Sequence, residues 1–189
     1  LVLEDDATLV PDGSGTFFGR LPEQTFYLTG ATRFLAPGLR AAFAAAPKRY
    51  MAELMRAHHR LTIKASALDT EIVSDLILSG RAEKLIDLKI RRAKEMNAAF
   101  EKTFPRERRA AKDVPFFRTV ELSSSKRNGP DIERELLEAG VRVCHSCRFT
   151  SRKNPSRSFL RLSLSSVTSK EELMSALNAV KRHIQTSQV

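Results

Sequence analysis

The 189-residue chain is long enough for one ordinary domain or for part of a larger one. It is 42% apolar and 29% charged, which fits a folded globular chain rather than a disordered one, and no apolar run approaches the roughly 20 residues of a membrane span. The net charge of +10 brings nucleic acid, membrane surfaces and phosphorylated cofactors into view, yet the basic residues are dispersed (Arg91/Arg92, Arg108/Arg109, Lys126/Arg127, Arg152/Lys153) and no nucleic-acid-binding motif accompanies them.

In chain order, Leu1 to Leu3 reads as a short buried strand ending in the acidic run Glu4, Asp5, Asp6. Such an abrupt opening predicts a chain cut from something longer. Pro11 to Gly19, rich in Gly, Pro and Ser, reads as a loop. Thr25 to Leu28 is a second strand with β-branched and aromatic character. After a turn through Gly30 and Pro37-Gly38, the run Ala41 to Ala46 is open to strand or helix; its bounding prolines favour a short strand buried on both faces.

From Pro47 the period becomes helical, with Tyr50, Leu54, Ala57 and Leu61 recurring. A second helix is expected over Ser66 to Ser79, with Leu68, Ile72 and Leu76 on one stripe and Gly80 as its stop. A third spans about Arg81 to Thr103, with Leu85, Leu88, Arg92, Met96 and Phe100 as its stripe, long enough to bridge two structural units. The remainder reads as a small α+β unit. It comprises a strand over Val114 to Leu122, a turn over Ser123 to Gly129, and a helix over Pro130 to Ala139 stopped by Gly140. Short strands follow at Val141 to Val143 and Phe159 to Ser165, then a capping box at Ser169 to Glu172 opens a final amphipathic helix through Leu173, Leu177, Val180 and Ile184.

The stretch Thr25 to Pro47 carries most of the information. Gly30-Ala31-Thr32-Arg33 is followed by Leu35-Ala36-Pro37-Gly38-Leu39-Arg40 and then Ala46-Pro47. This pattern resembles fold-type-I pyridoxal-phosphate aminotransferases (class I/II), most closely the aminotransferase-like domain of MocR-type regulators in the GntR family. Those proteins carry a strand, a G-x-S-K turn, L-x-P-G-L-R and an apolar strand ending in A-P. Glu4-Asp5-Asp6 resembles the family's E-D-D, and Phe159 to Leu164 resembles its closing I-R-L-x-F strand. The resemblance covers nearly the whole chain but only the C-terminal half of the family domain. It implies an α/β fold, the C-terminal part of an aspartate aminotransferase-like transferase, with residues 1–80 the remnant of the large cofactor-binding domain and 81–189 the bridging helix and small α+β domain.

The resemblance also assigns roles. Asp5 would pair with the pyridine nitrogen of pyridoxal 5'-phosphate, Thr32 and Arg33 belong to the cofactor turn, Arg40 would hold the phosphate, and Arg161 would clamp the α-carboxylate of an amino acid or related effector. Arg33 stands where the family has its Schiff-base lysine. A guanidinium with a pKa above about 12 stays charged, a poor imine former and a poor base. The only lysines close in sequence, such as Lys48, lie beyond the next strand. A family tyrosine expected after E-D-D is also missing, since the chain there reads Ala7-Thr8-Leu9. Blander readings stand beside these: Asp5 as a strand-end carboxylate, Arg161 paired with a surface acid, Arg33 as an idle position.

Cys144 and Cys147 make no secreted disulfide framework, so a cytoplasmic compartment is expected. Cys144-His145-Ser146-Cys147 lacks the second ligand pair of a zinc site, and the loop expected over Arg148 to Pro155 lacks the helix of a thioredoxin-like motif. The favoured reading is a ligand-sensing or degenerate, non-catalytic domain of a MocR/GntR-type transcriptional regulator. It would form a homodimer or be completed by a missing N-terminal half, and would reach DNA only through an absent N-terminal domain. The alternatives are an aminotransferase fragment with residual cofactor binding and transamination, and a nucleic-acid-binding module resting on charge alone.

Overall fold

A computed structural model describes residues 1–6, 15–61, 65–107, 115–122, 128–149 and 158–186. The expectations for Ala7 to Leu9, for most of the 123–129 turn, for the basic pairs Arg108/Arg109, Lys126/Arg127 and Arg152/Lys153, and for the 150–155 loop fall outside these residues. The chain divides into two compact units, Leu1–Ile90 and Arg91–Val189.

In the first unit, β1 (Val2–Asp5) and β2 (Thr25–Gly30) run parallel, with Asp5 opposite Leu28. β3 (Ala42–Ala45) returns antiparallel to β2, so β2 is the central strand. The expected loop before β2 instead holds a single helical turn, α1 (Phe17–Arg20). Its N-terminal donors explain it. The Thr16 hydroxyl accepts from the Gly19 N–H, and the two carboxylate oxygens of Glu4 accept from Phe17 and Phe18 N–H, each at 2.9 Å. Composition marked the segment as irregular because the Glu4 cap comes from thirteen residues upstream.

β3 corrects a second expectation. It is a strand, but Ala42, Phe43 and Ala44 are exposed, so it is not buried on both faces. Burial begins only at Ala46 and Pro47. After α2 (Ala31–Phe34) and a 3-10 turn at Lys48–Tyr50 comes α3 (Met51–Leu61), none of whose residues is buried. α4 (Ala67–Leu78) starts where Ser66 caps the Asp69 N–H and ends at Gly80, whose φ of +68° is a backbone state glycine adopts without penalty. Its buried residue is Val73, with Leu76 partly buried beside it; Leu68 and Ile72 of the expected stripe are exposed. α5 (Arg81–Thr103) has the expected bounds, and the division between units falls within it.

The second unit is a three-stranded antiparallel sheet with β6 (Ser158–Ser163) between β4 (Phe117–Leu122) and β5 (Cys144–His145). The strand expected at Val141 to Val143 is absent. After α6 (Gly129–Glu138), Gly140 at φ +81° turns the chain so that Val141 N–H bonds to Leu136 O at 2.8 Å, which commits that donor to closing the helix rather than to a ladder. Pairing therefore starts at Cys144. α7 (Lys170–Thr186) is capped by Ser169, whose hydroxyl accepts from Glu172 N–H at 3.1 Å. The Glu172 carboxylate in turn accepts from the Thr168 N–H and hydroxyl, one residue earlier than a reciprocal capping box requires. Met96 and Phe100 of α5, Ile132 and Leu136 of α6, Leu160 and Leu162 of β6, and Leu173, Leu177 and Val180 of α7 form one core.

Candidate functional site

The best-packed part of the first unit is the turn that joins β2 to β3. Ala31 and Leu35 are buried against Val73 of α4 and Ala82 of α5. Ala31 N–H bonds to Ala41 O at 2.9 Å, the Thr32 hydroxyl donates to Leu39 O at 2.9 Å, and Arg40 N–H donates to the Asp69 carboxylate at 3.2 Å. Backbone and side-chain bonds thus close the 31–41 segment on itself and tie it to α4.

Because β1 and β2 are parallel, their C-terminal ends lie at one edge of the sheet. Asp5 ends β1 at that edge, and β2 delivers Thr32 and Arg33 on α2 there. Open sheets place ligand sites outside the carboxyl ends of their strands. Thr32 and Arg33 are half-buried; Asp5 and Arg40 are exposed. Tyr27 of β2 lies beside Asp6 and Thr29, and burial leads the causes that raise its phenol above the ordinary value.

The structure adds a residue that the sequence reading passed over. Lys89, on α5, donates from Nζ to the Arg33 carbonyl at 3.0 Å. It is half-buried, and loss of solvent lowers its ammonium below the usual lysine range. The signal was in the helical period: Ala82, Leu85 and Lys89 share the face of α5 that packs in this unit, whereas the expected stripe ran through Leu88, which is exposed.

Arg161 lies in the second unit, on β6, between Thr119 of β4 and Cys144 of β5. Its guanidinium carbon stands 4.0 Å from the centroid of Phe117 and 5.2 Å from that of Phe149. Phe149 is itself stacked with Phe159 at 6.3 Å and an interplanar angle of 7°. These rings cover faces of a half-buried cation and hold it in place.

Cys144 and Cys147 are free thiols, and among the described residues no cluster of three or more His, Cys, Asp or Glu side chains could hold a metal ion. Ser146–Phe149 forms a 3-10 turn rather than the loop expected to begin at Arg148. His145 Nε2 lies 2.8 Å from the Ser158 hydroxyl, a spacing that suggests a nucleophile and its base. The other ring nitrogen argues against it. Nδ1 accepts from Cys147 N–H at 3.2 Å, so it carries no proton, and a neutral ring must then donate from Nε2 to Ser158. The base position is filled by a proton. Burial keeps this imidazole neutral, and its ring fills the space that a side chain at Gly129 would need.

Against solved structures, the chain aligns over its full length with LysN, an alpha-aminoadipate aminotransferase from Thermus thermophilus solved with N-(5'-phosphopyridoxyl)-L-leucine, at a TM-score of 0.77 and 24% identity over 51% of that chain. It aligns equally fully with the multiple substrate aminotransferase of Thermococcus profundus, at a TM-score of 0.78 and 16% identity over 48% of that chain. The chain has an aspartate aminotransferase-like fold. A third such structure, a double mutant of Thermus thermophilus aspartate aminotransferase, gives a TM-score of 0.76 at 21% identity, covering 96% of this chain and 47% of that one. No family model matches the sequence. Among curated proteins, YdeF of Bacillus subtilis (strain 168), an uncharacterized HTH-type transcriptional regulator, is 26% identical over 161 residues, 85% of this chain and 35% of that protein. The chain thus spans about half the length of the solved aminotransferases it matches and about a third of the regulator.

Proposed function

We propose that this chain is the aminotransferase-like, effector-sensing part of a MocR-type regulator of the GntR family, and that it does not transaminate. The observation that carries the reading is Arg33 on α2, at the position where the resembling family presents its reactive lysine. A guanidinium cannot lose its proton near neutral pH, so it neither condenses with an aldehyde nor relays a proton. The regulator name of the YdeF relative supports the regulatory side of the proposal.

The donor set at the sheet edge fits a phosphate-bearing pyridine ligand such as pyridoxal 5'-phosphate. Asp5 offers a carboxylate to a ring N–H, and the guanidinium of Arg40, with that of the half-buried Arg33 on the same turn, offers charge and donors to a phosphate, while Thr32 holds the turn through its bond to Leu39 O. When bound, that cofactor would supply an electron-withdrawing ring. Arg161, framed by Phe117 and Phe149, would pair in its plane with the carboxylate of an amino acid or related effector. DNA binding would belong to an N-terminal domain outside this chain, with a homodimer and a cytoplasmic setting following from the same reading. Among the described residues no helix is long and apolar enough to cross a membrane.

The test is a transamination assay with pyridoxal phosphate and a panel of amino acids, run on this chain and on Arg33→Lys. No turnover by the unmodified chain is expected, and measurable turnover would overturn the proposal. In parallel, Arg161→Leu should weaken binding of a carboxylate effector by about 10- to 100-fold in calorimetry, the scale of a charge-assisted bond worth about 1.5–3 kcal/mol.

A further inference from the structure

The turn that lacks its own amine is touched by another. Lys89 Nζ sits 3.0 Å from the carbonyl oxygen of Arg33, although the two residues are 56 positions apart. The cation is half-buried, and no carboxylate among the described residues pairs with it. Lys48 and Lys84 of the same unit are exposed. Burial without a counter-charge penalises the ammonium form and so raises the share of neutral amine, the form that attacks carbonyl carbon. A neutral amine that donates one N–H to Arg33 O still has its lone pair. Arg33 and Arg40 place two guanidinium groups on the same short segment, which the Thr32 hydroxyl closes through Leu39 O and where the phosphate of an aldehyde ligand would be held.

We propose that Lys89 is the imine-forming amine of this site, taking the role that Arg33 cannot fill and capturing a phosphate-bearing pyridine aldehyde such as pyridoxal phosphate. Nζ attacks the aldehyde carbon, a C–N bond forms, and the carbonyl oxygen leaves as water carrying both amine protons. The product is a C=N bond to Lys89, and no oxidant or reductant is consumed. The proposal concerns capture, not turnover, and it rests on reading the α2 turn as the cofactor site.

The experiment incubates the 189-residue chain with pyridoxal phosphate, reduces it with borohydride, and maps the pyridoxylated lysines by peptide mass spectrometry. Unreduced samples are gel-filtered in parallel to measure retained ligand. The expected result is a dominant adduct on Lys89, several-fold above that on the exposed Lys48 or Lys84. Lys89→Met and Lys89→Arg should both lose that adduct. The arginine variant keeps a donor for Arg33 O, so its loss separates imine chemistry from a role in fastening the turn, and far-UV dichroism checks that each variant folds. Arg40→Ala should lower occupancy at Lys89. Ligand retained equally by the unmodified chain and Lys89→Met, with no Lys89 adduct, would overturn the proposal while leaving the cofactor site standing. Adducts spread over exposed lysines with Lys89 unmodified, or neither retention nor adduct, would overturn it too, the last outcome removing the cofactor site as well.

Discussion

The two units are built from similar elements but hold together differently. Among the described residues the second gathers thirteen buried apolar residues into one cluster, drawn from α5, α6, α7, β4 and β6 and from Val143 and Leu164 beside the strands, while the cluster of the first has four, Ala31, Leu35, Val73 and Ala82, around the α2 turn, with Ala46 buried apart from it. The first unit instead displays Leu3 at 69% exposure and Phe43 at 48%, with Leu28, Met55, Leu61 and Leu68 also open. Stabilisation by burial scales with apolar area removed from water, so the second unit carries its own driving force and the first concentrates what it has beneath one turn. That turn is where the candidate site lies. The first unit is thus packed tightest at the turn that carries the candidate site, while β3 and α3 leave most of their side chains exposed.

The largest effect that would sharpen this contrast is expected at Phe100, which is fully buried and lies 5.3 Å from Phe104. Phe100→Ala should cost about 3–5 kcal/mol in denaturant unfolding of the second unit. Val73→Ala, the corresponding change in the first unit, should cost only about 1–2 kcal/mol, since its small cluster loses fewer contacts. Comparable losses at the two positions would break the comparison.

Next in size is a buried cation. Arg118 of β4, 4% exposed, donates to Asn97 Oδ1 at 2.9 Å, to the Glu101 carboxylate at 3.3 Å and to the Glu107 carbonyl, and lies over the Phe100 ring at 4.5 Å. Asn97 uses its amide on Ala93 O and Pro115 O, at 2.8 and 2.9 Å. The network fastens α5 to the start of β4. Arg118→Ala should cost about 3 kcal/mol, because it strands Asn97 and removes the stacked plane, while Glu101→Gln, at the more open end, should cost about 1 kcal/mol. Equal costs would show that the ion pair, not the buried amide bond, carries the network.

How much of this was legible in the sequence follows from how local each cause is. Both glycine-stopped helices, α4 and α6, were readable because Gly80 and Gly140 act within a few residues, and α5 was readable over its full length because its period is sustained. The Leu35 to Arg40 motif led to the right fold. Burial was less legible. β3 has the composition of a doubly buried strand but exposed faces, because coverage depends on which layers surround it. α1 and Lys89 were missed for the same reason: Glu4 and Arg33, which explain them, lie 13 and 56 residues away. Arg118 and Asn97 look like surface residues until β4 and α5 are brought together.

The smallest effects are expected from pH, and they separate the units again. In the second unit, burial holds His145 below its ordinary value of about 6.5, against the weaker upward pull of Glu133. Well above pH 6.5 the imidazole is neutral in folded and unfolded chains alike, and it contributes no pH dependence there. As the pH falls from there towards the lower folded value, the unfolded chain takes up a proton that the folded one resists, so stability declines. Glu133 acts in a lower window. The bidentate bond from Arg148, reinforced by His145 N–H, holds its carboxyl below the ordinary value, so its contribution persists at neutral pH and is lost as the pH drops through that lowered value. Denaturation series at stepped pH should show two successive declines in the second unit. His145→Asn, whose amide oxygen can take over the bond from Cys147 N–H, should flatten the upper decline and leave the lower one. An unchanged upper decline in that variant would mean that another group titrates there, and that the ring between Gly129 and Ser158 is not the buried neutral base its geometry describes.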